Sequence, residues 1–158
     1  MTRVTIVSTV EQVPGIDGDV PTWRSWRALD WFSQRGYRVE FQMSRWNHYT
    51  KSWRYLSDGS AENVRLLVSL PYTRNVSILR AVNYALQAIH ITIRLICTRP
   101  DVVLITVPAI EHLLAGLLYK KIINNNAIFL IDFRDLWPEV IVSELLPRNR
   151  FLAKAAEA

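Results

Sequence analysis

Cysteine is almost missing from this 158-residue chain, and the single Cys97 leaves no room for an internal disulfide or a cysteine-built zinc site. That usage fits a reducing compartment, and Cys97 itself is expected to pack in the core. Histidine is scarce too: His48, His90 and His112 lie far apart without ligand spacing, so neither a metal site nor a cofactor is expected. Long apolar runs are also lacking. The closest, "ILRAVNYALQAIHITIRLI", carries Arg80, Asn83, Gln87, His90 and Arg94, which argues against a spanning helix. The opening "MTRVTIVSTVEQ" has no cleavage site or long apolar segment of a secretory signal and reads as a first strand. Ser8, Ser25, Ser33, Ser44 and Ser143 show no nucleophile elbow, which leaves covalent hydrolase chemistry unsupported.

What is present is apolar residues, making up 50% of the chain, enough at this length for one core and hardly two. The net charge of +5 is uneven: residues 20 to 100 hold eleven Arg and one Lys against Asp30, Glu40, Asp58 and Glu62. A basic middle of this kind suits phosphates, anionic lipid or nucleic acid, and charge alone does not choose among them.

Periodicity alternates between strand and helix. Residues 3 to 10 and 37 to 43 read as strands; Thr22 is a plausible cap for a helix to Gln34, which Gly36 ends. A polar, aromatic loop runs to Ala61, followed by a strand in "ENVRLLVSL" and a long amphipathic helix over 75 to 98. "DVVLITV" reads as a strand covered on both faces, "AIEHLLAGLLYKKI" after Pro108 as a helix, and "AIFLI" as a fifth strand. The order predicts an α/β fold, a Rossmann-like, open, mostly parallel sheet of about five strands with helices on both faces. Ligands of such sheets bind outside the carboxyl ends of the strands, so "EQVPGIDGDVP", "PA" and "DFRDLWPE" are expected to share one rim.

"IDFRDLWPE" is the most distinctive string. Arg134 offers a planar fork for phosphate or carboxylate, Asp132 and Asp135 can accept from sugar hydroxyls, and Trp137 presents a flat face to a pyranose ring. Pro138 fits a first helical position, with Glu139 beside the positive helix end. The same residues also fit a locked loop in which Arg134 pairs with Asp132 or Asp135 above a packed Trp137. Arg134 between the two aspartates argues against a dedicated Mg²⁺ site.

"RPDVVLITVPAIEHLLAGLLYKKI" followed by "FLIDFRDLWPEVIVSELL" resembles the amino-terminal domain of family 4 glycosyltransferases, the bacterial surface-polysaccharide branch with a D-x-R-D-L-W-P-E motif. "PGIDGD" stands at that family's glycine-rich loop, with Gly15 and Gly18 in place of its glycine pair, and Arg24 at its arginine before "RGYRV". The resemblance implies half of a GT-B fold, over residues 1 to 147, with 148 to 158 starting a truncated linking helix. It implies the acceptor-side half of a retaining transferase that moves sugar from a nucleotide-sugar to a lipid-linked saccharide. The half that holds the donor is expected to be missing, and the chain inactive alone. The substrate-binding residues so implied are Gly15, Gly18, Asp19, Arg24, Pro108, Asp132, Arg134, Asp135 and Trp137; no catalytic residue is assigned. The competing expectation is a non-catalytic, membrane-associated Rossmann-like binding or interaction module.

"MSRWNHYTKSWRYL" interleaves Arg45, Lys51 and Arg54 with Trp46, Tyr49, Trp53 and Tyr55. Rings and cations so mixed suit an anionic membrane surface, with Arg45, Trp46, Lys51, Trp53 and Arg54 in contact. They also suit a loop folded over the sheet edge, with single-stranded nucleic acid a distant third. The expected location is cytoplasmic and peripheral at the inner face of the cell membrane. An uncovered "AIFLI" edge is expected to favour a homodimer.

Overall fold

The computed structural model describes residues 1–56, 62–107 and 109–133. Arg3–Val7 (β1) is followed by Arg24–Gln34 (α1), Arg38–Ser44 (β2), Trp46–Asn47 (β3), Ser52–Trp53 (β4) and Val64–Leu67 (β5). Ile78–Thr98 (α2), Val102–Val107 (β6), Ile110–Leu118 (α3), a π-helical turn at Tyr119–Ile123 and Ile128–Phe133 (β7) complete the described chain. Five strands form one sheet in the order β5-β2-β1-β6-β7, every pair parallel, so the open Rossmann-like sheet is present. β3 and β4 make a separate antiparallel pair, a hairpin inside the stretch expected as plain loop.

The sheet has a core on each face because its strands alternate apolar side chains up and down. Val4, Ile6, Val39, Phe41 and Met43 pack toward α1, where Trp26 meets Phe41 edge-on at 5.3 Å and Leu29 is buried. Val7, Leu67, Val103 and Ile105 pack toward Ile91 and Leu95 of α2 and Ala115 of α3. Helix ends follow local chemistry. Ser77 caps α2 by accepting from the Arg80 N–H at 3.2 Å, and left-handed Arg99 closes it by donating to the Leu95 carbonyl.

Several boundaries differ from the sequence reading. β1 stops at Val7 rather than Val10, and β7 runs on through Asp132 and Phe133, so Asp132 belongs to the strand and not to the loop after it. Trp23, not Thr22, precedes α1, and it makes no side-chain cap bond. Cys97 is exposed and not in the core, since it lies on the outward side of α2.

Candidate functional site at the sheet rim

The chain order reverses between β1 and β6, with β2 and β5 on one side and β7 on the other. The crevice outside the carboxyl ends at such a reversal is where open parallel sheets bind ligands. Thr106 pairs with Asp132 across β6 and β7, and Val7 with Ile105 across β1 and β6. Ser8 prolongs β1 by one residue, its N–H donating to the Gln42 carbonyl at 2.9 Å. Alternation along the strands then places Ser8, Thr106 and Asp132 in one row, on the face where Ile6 and Leu104 pack toward α1.

The first turn of α1 stands over this row. Arg24 brings Nη1 to 3.3 Å from the Asp132 carboxylate, with side-chain exposures of 63% and 20%, and Ser25 beside it is buried. The hydroxyls of Ser8, Ser25 and Thr106 are buried and find no hydrogen-bond partner among the described residues. An unmatched buried hydroxyl is costly, and two of these, Ser8 and Thr106, lie in the same strand-end row as Asp132. The same turn of α1 has no acidic residue and no side-chain cap bond, so nothing within the helix itself offsets its positive end.

On the sheet's other face, Thr9 Oγ1 lies 3.4 Å from Nδ1 of His112, which is wholly buried against the edge of Tyr84. Burial lowers the His112 pKa to about 4, so the ring is neutral near pH 7, and its Nε2 finds no partner among the described residues. Next to it, an apolar groove of about 230 Å³ opens between the first turns of α2 and α3, lined by Val76, Arg80, Tyr84 and Ile110. A larger cleft, about 510 Å³, lies at the opposite end of the sheet among Arg3, Arg38, Glu40, Glu62 and Arg65. It sits beneath the amino ends of β1 and β2, away from the reversal.

No family model, curated protein or solved structure matches this chain. The chemistry of the rim therefore rests on its own residues. Of the expected substrate-binding residues, Arg24 and Asp132 meet directly. Gly15 and Gly18 shape the loop that joins β1 to α1; both have positive φ, and the Gly15 N–H donates to the Gly18 carbonyl at 3.2 Å. Asp19 is exposed on that loop. Pro108, Arg134, Asp135 and Trp137, like Pro138 and Glu139, lie outside the described residues.

Asp17, which as a free carboxylate would repel a phosphate, is instead fully engaged. Its carboxylate takes Nε and Nη2 of Arg54 at 2.7 and 2.9 Å, Nδ2 of Asn47 at 2.7 Å and the Val13 N–H at 2.8 Å. Arg54 also donates to the carbonyls of Ser44 and Glu11, so it ties the loop after β1 to the β3–β4 hairpin. This corrects the membrane-contact set. Arg54 is 3% exposed and Trp46 7%, its indole donating to the Tyr72 carbonyl at 3.1 Å, so neither reaches a headgroup. Arg45, Lys51 and Trp53 keep some exposure, with Arg45 lying over the Trp53 ring.

The sequence reading missed Ser8, Ser25, Thr106 and His112. A signal existed, since Ser8 and Thr106 are polar interruptions near the carboxyl ends of two otherwise apolar strands. Among the described residues no three His, Cys, Asp or Glu side chains gather to hold a metal ion.

Proposed function

We propose that this chain is the acceptor-side half of a retaining glycosyltransferase of GT-B type, holding a lipid-linked saccharide that receives sugar from a nucleotide-sugar. The observation that carries the reading is the Arg24–Asp132 pair at the sheet reversal, with Ser8 and Thr106 in the same strand-end row as Asp132 and Ser25 next to Arg24. A hydroxyl both donates and accepts, and a carboxylate accepts strongly; together they match the alternating groups of a saccharide. Arg24 and the positive end of α1 match a phosphate, the group that links such a saccharide to its lipid. These residues bind and orient the acceptor. In this reading a second Rossmann-like half holds the donor nucleotide.

Calorimetric titration with a short-chain prenyl-diphosphate-linked monosaccharide tests the reading. Arg24→Ala and Asp132→Asn should each weaken binding about tenfold, the worth of one charge-assisted hydrogen bond. The thermal stability of Arg24→Ala should barely move, because an ion pair whose arginine is 63% exposed contributes less than about 1 kcal/mol. Equal affinity for wild type and both variants, or no binding by wild type, would remove the proposal.

A further inference from the structure

Helix α2 carries apolar residues on both its inward and its outward side. Its inward side sets polar anchors beside the buried Tyr84, Ile91 and Leu95: Asn83 Oδ1 accepts the Leu70 N–H at 2.7 Å, and His90 Nδ1 accepts the Val68 N–H at 2.9 Å. Gln87 donates to the hydroxyls of Ser44 and Ser69, and Arg94 pairs with Glu40. These groups recur at 83, 87, 90 and 94, one helical stripe, and they hold the helix in a single rotation about its axis. The side opposite the buried residues faces outward.

That outward stripe is apolar along its whole length. Leu79, Val82, Ile89, Ile93 and Ile96 are all exposed, with Ile78 at its start 85% exposed. α3 packs alongside and adds Ile110, Leu114, Leu117 and Leu118 to the same surface, and the turn after it adds Ile122 at 72%. Aliphatic exposure on this scale across two neighbouring helices marks an interaction face. Its surroundings are cationic. Residues 74 to 123 carry six Arg and Lys against Asp101 and Glu111, and α2 itself contains no acidic residue. Arg74, Arg99 and Lys121 are exposed around the ends of the two helices.

We propose that the outward face of α2 and α3 docks on the surface of an anionic phospholipid bilayer, with both helices lying in the interface. No helix among the described residues is long and apolar enough to cross a membrane, so α2 lies on the bilayer instead of spanning it. Its isoleucines enter the acyl boundary while Arg74, Arg99 and Lys121 meet headgroup phosphates. The sign of the charge selects this occupant over a second copy of the chain, whose own cations would be brought against these. This docking stands independently of the saccharide reading.

Co-sedimentation of the full chain with sugar-free vesicles tests it. Binding should be strong to phosphatidylglycerol-containing vesicles, and it should fall several-fold on pure phosphatidylcholine or in high salt. Ile89→Glu with Ile93→Glu should weaken it at least about tenfold, since two buried apolar side chains are replaced by charges. Both positions are exposed, so circular dichroism should show an unchanged fold, and Asp132→Asn should bind vesicles as wild type does. Vesicle binding that survives the double substitution would overturn the proposal. So would a wild type that ignores vesicles, including one that forms a dimer in sedimentation velocity which the double substitution abolishes.

Discussion

Arg54 directs its whole guanidinium inward, bidentate on Asp17 and onto two carbonyls, with both side chains 2% exposed. Removing one member of such a pair strands the other charge in a medium that solvates it poorly. Arg54→Met is expected to lower unfolding free energy by about 3–5 kcal/mol in urea titrations, whereas Arg24→Ala on the exposed pair should cost less than about 1 kcal/mol. His112 makes stability depend on pH. Its folded pKa is held near 4 by burial while the unfolded ring titrates near 6.5, so the unfolded chain takes up the proton first. Stability is full above about pH 6.5 and falls as the pH drops toward 4, by about 3 kcal/mol from this residue. His48 and His90, whose pKa values are also lowered chiefly by burial, push the same way. Urea midpoints should therefore drop from pH 7 to pH 5, and His112→Asn should flatten that drop; a flat wild-type profile would refute this.

At the scale of elements, the alternation of strands and helices was plain in the sequence because β-branched runs and helical spacing are local signals. "DVVLITV" was expected to be a strand covered on both faces, and β6 lies between β1 and β7 with its side chains packed on both sides. The facing of α2 was not legible, because the helix is apolar on two sides and only contacts from distant residues, such as Val68 and Leu70 with His90 and Asn83, set which side turns inward. The β3–β4 hairpin escaped notice for a related reason: its aromatic and basic residues look like surface until Asp17, thirty-seven residues from Arg54, draws them in. Close packing of α3 on β7 gives a separate prediction. A Cβ on Gly116 would sit 2.4 Å from the Phe129 ring and 2.7 Å from Ile105 Cδ1. Gly116→Ala should therefore destabilise by about 1–3 kcal/mol in spite of alanine's better helix propensity, and Phe129→Leu should recover part of that loss in a double-mutant cycle.

For the whole molecule, the in-register parallel sheet is what turns scattered residues into a site. Ser8, Ser25, Thr106 and Asp132 span more than a hundred positions of chain, and only the strand order β1-β6-β7 sets three of them side by side beneath the start of α1. Arg24 and Asp132 were marked from the sequence through their motif, while the hydroxyls were hidden inside apolar strands whose rim ends no local pattern reveals. The same sheet leaves β7 at the edge of the described residues, with Ile128, Leu130 and Phe133 exposed. The proposed function requires that the carboxyl-end rim, and not the larger cleft beneath the amino ends, take the saccharide. Amide chemical-shift mapping by NMR during titration with the prenyl-diphosphate-linked monosaccharide tests it most directly. Shifts concentrated at Ser8, Arg24, Ser25, Thr106 and Asp132 are the predicted result; shifts concentrated at Arg3, Arg38 and Arg65, or none at all, would contradict it.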